Sequence, residues 1–253
     1  ISTMKNFIIS LFTILLIFSC KNEPQQVVKI EGKLLPINQE IESVKEIEDF
    51  IEPYKQKVAA EMNTILTHTE IDLVRTDGPL ESTLGNLMAD LCYEGANPVF
   101  NSRTNKNIDF ALFNYGGIRA GISKGAVKME NAFNLMPFEN SLVVVELTAD
   151  KIEELVAYLI ENKRAHPLSK HINLAITKTG YSLKINNKSL KNDATYFVLT
   201  SDYLQNGGDN MNFFKDPVSI INLDYKFRNA IIDYFKETDT LKTNLDGRFR
   251  IEN

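Results

Sequence analysis

Two short apolar runs, residues 108–113 and 196–200, each lead towards a glycine pair: Gly116-Gly117 after the first and Gly207-Gly208 after the second. A strand that ends on paired glycines can turn sharply and bring its backbone close to a ligand. Both runs are short enough for buried strands, and amphipathic helical stripes lie between them. The pattern limits the chain to folds in which strands and helices alternate and glycine loops gather at strand ends. The first loop reads Asn114-Tyr115-Gly116-Gly117-Ile118-Arg119 and the second Asn206-Gly207-Gly208-Asp209.

The helical stripes are legible. Residues 41–62 repeat apolar side chains at three- or four-residue steps, with Pro53 placed to kink or divide the helix. Ser82 is a suitable N-cap for a helix carrying Leu84, Leu87, Met88, Leu91 and Cys92 on one face, with Gly95 and Pro98 expected to stop it. Residues 130–135 read as a short helix. Thr148 precedes a stripe through Ile152, Leu155, Val156, Leu159 and Ile160. Asp224 is the expected cap of a last helix through Phe227, Ile231, Tyr234 and Phe235. Strands are expected at 65–74, 142–147 and 247–251, and a hairpin at 172–176 and 181–185 around Gly180. Irregular interleaving with hairpin signals favours an α+β fold, with mixed β-sheets and flanking helices.

The amino-terminal 40 residues read differently. Met4-Lys5-Asn6 opens a basic region, and residues 7–18 include ten apolar side chains among twelve. That is too short to span a bilayer and suits a signal peptide. Ser19-Cys20 then resembles a bacterial lipoprotein signal, with Cys20 as the acylated residue. The alternative is an ordinary secretory signal with a chance cysteine. The expected organisation is a signal peptide at 1–20, a tether at 21–40, a linker-type helix at 41–64 and a domain at 65–253. The protein is then exported and lipid-anchored to a bacterial membrane, periplasmic or surface-facing. With Cys20 and Cys92 given different fates, no disulfide is expected, and Cys92 reads as a buried small hydrophobe.

A formal net charge of -5 argues against nucleic acid as a partner, which needs a concentrated basic face. It leaves room for one anion site. Arg119 offers a planar fork suited to carboxylate or phosphate. Asn114 can donate and accept at a base or sugar edge, and Asp209 can accept from a ribose diol. Phe138 and Tyr203 can stack a base between them, each stack contributing roughly 1–3 kcal/mol. Each residue also has a plainer reading: a tight turn with a surface arginine, an aspartate stabilising its own turn, an aromatic ring in the core.

Taken in order, Glu81-Ser82-Thr83-Leu84-Gly85-Asn86-Leu87-Met88-Ala89-Asp90, the 114–119 loop, Leu135-Met136-Pro137-Phe138-Glu139-Asn140 and Tyr203-Leu204-Gln205-Asn206-Gly207-Gly208-Asp209 resemble the C-terminal domain of the 5'-nucleotidase family. The resemblance runs from about residue 47 to the end of the chain. It implies a substrate-recognition domain whose metals and catalytic residues belong to a separate N-terminal metallophosphatase domain. By the same resemblance Arg119 binds the polar part of the substrate and Asn114 lines the base pocket. Phe138 and Tyr203 sandwich the base, and Asp209 holds the ribose. Gly116, Gly117, Asn206, Gly207 and Gly208 complete the set of expected binding residues.

Two positions depart from that family's pattern. Tyr115 stands where the loop carries a third glycine, in position to crowd or cover the pocket. Leu80 stands where a second substrate arginine occurs.

No catalyst is legible. The three histidines, His68, His166 and His171, lack metal-motif settings. His166 and His171 read as solvated loop residues, and His68 as a surface or packed strand residue. No catalytic residue, metal ligand or cofactor is assigned to this chain. The expected function is nucleotide or nucleoside recognition for a 5'-nucleotidase-type hydrolase in nucleotide catabolism. It acts with a separate metallophosphatase subunit that carries the divalent metals. The alternative is a non-catalytic nucleoside- or nucleotide-binding lipoprotein.

Overall fold

The computed structural model describes residues 27, 29–38 and 41–252. The signal-peptide expectation, with Cys20, lies outside the described residues, as does most of 21–28 in the expected tether. The chain divides into two units, one ending at Phe50 and one from Ile51. In the first, residues 29–38 are exposed and without regular structure. Helix α1, Lys45–Met62, runs across the division and buries none of its residues. Pro53 lies inside it without ending it. On so exposed a helix, water takes up the carbonyl that a proline leaves unpaired.

The second unit is an α+β arrangement of three small sheets. In chain order its strands are β1 (Ile65–Thr69), β2 (Phe110–Ala111), β3 (Gly125–Lys128), β4 (Ser141–Thr148), β5 (Ile172–Thr177), β6 (Gly180–Ile185), β7 (Thr195–Ser201), β8 (Ser219–Lys226), β9 (Thr240–Leu241) and β10 (Phe249–Ile251). Its helices are α2 (Thr83–Thr104), α3 (Met129–Leu135), α4 (Ala149–Asn162), α5 (Asp202–Gln205) and α6 (Phe227–Glu237). The central sheet has the order β2-β7-β4-β8, and the other two are β3-β1-β9 and β10-β5-β6. Mixed sheets with flanking helices were the sequence expectation, and the hairpin around Gly180 is present as antiparallel β5 and β6.

The reason β4 reads as a continuous apolar run is visible in the cores. Leu142 and Val144 face one cluster, which includes the α2 stripe and Phe227, Ile231 and Phe235 of α6. Val143, Val145 and Leu147 face the other, which includes Ile152, Leu155, Val156 and Leu159 of α4. A sheet covered on both faces needs apolar residues at successive positions.

Ser82 caps α2 through its hydroxyl, which accepts the Gly85 N–H at 3.0 Å. Helix α2 does not stop at Gly95 and Pro98. It continues to Thr104 and ends on Asn105 in the left-handed region, φ 57°. Pro98 sits on the exposed face of the helix, where the lost bond is open to water, while Phe100 beyond it is fully buried and holds the extra turns to the core. Strand β1 is shorter than expected, ending at Thr69 rather than 74. Asp224 is not the cap of α6. It adopts φ 54° at an irregularity in β8, which runs on to Lys226 before the helix begins at Phe227.

Candidate functional site

Strand order explains how distant segments meet. β2 and β7 are neighbours and parallel, so the loops that leave their C-terminal ends emerge side by side. β4 is antiparallel to β7, so the segment that enters β4 starts at the same end. The 114–119 loop, the 136–140 segment and the 202–210 segment therefore converge. Ligands in open α/β sheets gather at such carboxyl ends of strands.

A cavity of about 270 Å³ lies there, lined by Asn114, Gly116, Gly117, Arg119, Phe138, Asn140, Tyr203 and Asp209. Seven of these eight were singled out in the sequence. Asn140 is the eighth, an amide two residues beyond Phe138 to which the sequence assigns no role. Asn206, Gly207 and Gly208 lie elsewhere, lining an adjoining open depression with Asn140, Asp202 and Tyr203. The Asn206 amide donates to the Asp202 carbonyl at 2.8 Å. Tyr203 thus divides the two spaces.

Phe138 and Tyr203 are 43% and 45% exposed, so neither ring is core packing. The Tyr203 ring lies directly against Gly208, where any side chain would collide with it. Gly207 takes φ 87°, a conformation open to glycine. These two glycines let the loop fold back under the ring. The Tyr203 hydroxyl then donates to Asp209 Oδ1 at 2.8 Å and accepts from the Asp209 N–H at 3.2 Å. That bond to the carboxylate, with a smaller effect of burial, raises the Tyr203 phenol above its ordinary pKa. Asn114 Nδ2 donates to Asp209 Oδ2 at 2.7 Å, joining the two glycine loops.

Arg119 is exposed at the rim. Its backbone N–H donates to the Leu135 carbonyl at 3.0 Å, which fixes its base. Its guanidinium reaches the Gly116 carbonyl at 3.3 Å and lies 5.9 Å from the Phe138 ring centroid. Most of the donor fork stays open to the cavity side.

Four supporting residues were not legible in sequence. Arg228 donates to the Met136 and Phe138 carbonyls at 3.2 and 3.4 Å and pairs with Glu139, so it clamps the segment that carries Phe138. Arg75 donates to the Ile118 carbonyl at 2.6 Å and covers the Tyr115 ring, 4.5 Å from its centroid. Tyr115 is therefore occupied beneath Arg75 and is not among the cavity-lining residues, contrary to the expectation that it would crowd the pocket. Leu80 is buried in the second core cluster, away from the cavity lining. Tyr158 donates its hydroxyl to the Asp209 carbonyl at 2.9 Å.

His166 is the fourth, and it overturns an expectation. It is 4% exposed rather than solvated, and its Nδ1 accepts the Tyr115 N–H at 3.1 Å. Burial drives its pKa down to about 4. His171 is also not a solvated loop residue: its ring stacks on Tyr93 with centroids 3.7 Å apart, and burial lowers its pKa. His68 is exposed on β1, as the strand reading allowed. Among the described residues no group of three His, Cys, Asp or Glu is placed to hold a metal ion, and no helix is long and apolar enough to cross a membrane. Cys92 is fully buried, with its thiol pushed well above its ordinary pKa by desolvation.

Comparison with known proteins gives consistent relatives. The chain is 29% identical over 238 residues to the trifunctional nucleotide phosphoesterase protein YfkN of Bacillus subtilis, covering 86% of this chain and 15% of that protein. It is 22% identical over 218 residues to a 5'-nucleotidase of Vibrio parahaemolyticus, covering 82% and 37%. Among solved structures, the 5'-nucleotidase precursor from Thermus thermophilus superposes with a TM-score of 0.63 at 25% identity, over 83% of this chain and 43% of that one. The chain thus spans less than half the length of each of these proteins. The model of the 5'-nucleotidase C-terminal domain matches residues 65–216, more than half of the chain. The chain belongs to the 5'-nucleotidase C-terminal domain family.

Proposed function

We propose that this chain binds a nucleoside 5'-phosphate or related phosphoester. The base stacks between Phe138 and Tyr203, the ribose meets Asp209 and Asn114, and the anion meets Arg119. The observation that carries this reading is the convergence of those five side chains on one cavity. At about 270 Å³ the cavity lies just below the range of roughly 300–1,000 Å³ found for small-molecule sites, and it is open on one side to receive the rest of the ligand.

Phosphoester hydrolysis of this class uses two metal ions about 3.5–4 Å apart. In this reading a metallophosphatase partner supplies them, and the surface around Arg119 faces that partner. The chain is exported and held at a bacterial membrane by acylated Cys20. The names of the relatives, nucleotide phosphoesterase and 5'-nucleotidase, support a nucleotide as the ligand.

Two measurements test this. Calorimetry with adenosine and AMP should show binding that weakens in Arg119→Ala and Phe138→Ala; unchanged affinity in both variants rejects the pocket. Phosphate release from AMP with added divalent metal should require mixing with a metallophosphatase encoded nearby. Turnover by this chain alone, or no gain on mixing, rejects the two-component enzyme and leaves a binding lipoprotein.

A further inference from the structure

Behind the cavity, the end of α4 and the residues after it touch both glycine loops. His166 takes the Tyr115 N–H at 3.1 Å, next to Asn114 in the first loop. Tyr158 gives its hydroxyl to the Asp209 carbonyl at 2.9 Å, in the second. The two rings lie against each other with centroids 5.7 Å apart, and Tyr158 also meets Phe213 edge-on at 5.5 Å. In front, Asn114 and Asp209 are joined to each other at 2.7 Å. The arrangement is closed: loop, brace, loop, and the bond between their side chains.

We propose that His166 is a positioning residue whose Nδ1, by accepting the Tyr115 N–H, holds the 114–117 loop so that Asn114 and Asp209 face one ligand. Tyr158 is the second arm of the same brace. The role needs a neutral ring. An imidazole that accepts at Nδ1 carries its proton on Nε2, and here Nε2 is buried with no hydrogen-bond partner among the described residues. Adding a proton puts N–H against N–H at Tyr115, and the bond is lost. The groups that face the ring oppose one another: Asp209 and, more weakly, the Phe113 backbone favour the cation and Arg164 disfavours it, with burial outweighing them and Tyr158 adding an uncharged aromatic wall. The brace therefore holds at neutral pH and releases the first loop in acid, through about pH 4.

The experiment compares wild type with His166→Asn, His166→Phe and Tyr158→Phe. Asparagine places an acceptor oxygen near the position of Nδ1 and does not titrate. Protection of the Tyr115 amide, read by hydrogen exchange, should persist in wild type and His166→Asn at neutral pH and fall about tenfold in His166→Phe. In acid, wild type should lose that protection and His166→Asn should keep it. Melting temperatures taken in parallel identify a variant that has simply unfolded, and His166→Asn with Tyr158→Phe then carry the test. Full Tyr115 protection in a folded His166→Phe overturns the brace, and so does an acid response shared by His166→Asn. The ligand arm rests on the nucleotide reading above: affinity for adenosine should fall about tenfold in His166→Phe and recover in His166→Asn. Amide results as expected with no adenosine binding by any variant would uphold the brace and overturn only that reading.

Discussion

Arg248 and Arg119 are the same residue used in opposite ways. Arg248 is 5% exposed, and all of its side-chain nitrogens are engaged. Its guanidinium donates to both Asp90 oxygens at 3.0 Å, to both Asp246 oxygens at 2.9 and 2.7 Å, and to the Leu168 carbonyl at 2.7 Å. It ties α2, the 164–171 segment and the start of β10 together. Arg119 stands at the cavity rim with one long side-chain bond to a backbone carbonyl. A saturated guanidinium has nothing left for a ligand; an open one gains little from the fold. A structural arginine and a recognition arginine are told apart by the donors already spent, since residue type is silent on the matter.

The largest expected effect breaks the saturated side. Arg248→Met leaves Asp90 and Asp246 facing each other without their cation, and should cost about 3 kcal/mol, the low end of the penalty for removing one partner of a buried ion pair, because both carboxylates keep some access to water. Urea denaturation measures it, and the folded fraction should bind adenosine as before. A stable variant would mean that the network is ornamental and the contrast with Arg119 false.

A second measurement places His166 between the two extremes, buried but half-satisfied. Its folded-state pKa is depressed from 6.5 to about 4, so the unfolded chain takes up the proton first as pH falls. The stability that accompanies a neutral His166 is present above pH 6.5, declines between 6.5 and about 4, and declines no further from this group below that. The total is on the order of 3 kcal/mol. Urea midpoints across this window should slope less in His166→Asn than in wild type; parallel slopes would remove His166 from the account.

The smallest effect on the fold belongs to Arg119→Ala. Stability should change by no more than about 0.5 kcal/mol, as for surface substitutions generally. Affinity for AMP should drop by about 1.5–3 kcal/mol, the worth of hydrogen bonds to a charged group, and affinity for adenosine by much less. Equal losses for both ligands would show that Arg119 does not read the phosphate.

The same contrast explains what was legible in the sequence. Periodicity revealed the α2 and α4 stripes because burial on one face imposes spacing. Glycine pairs revealed the two loops because few other residues permit their close approaches. Pro98 misled because its cost depends on whether its face of the helix is wet, and only the packed structure settles that. Asp224 looked like a cap because caps and bulges draw on the same residues. His166, Tyr158, Arg75 and Arg228 were invisible as site residues. Each acts through a backbone group of a segment distant in sequence, and such bonds leave no local pattern.

The small β3-β1-β9 sheet bears on how the protein folds. β1 lies early in this unit and pairs with β9 near its far end; the Thr67 hydroxyl donates to the Thr238 carbonyl, 171 residues further along. β5 likewise waits for β10. As the unit folds, neither sheet can be completed until segments from its two ends have met. Pairings so remote in sequence also slow folding. The hairpin β5-β6 and helix α4 can form early, but the unit is sealed late. Until then β1 and β5 are each open along one edge, and an unpaired strand edge invites pairing with another chain.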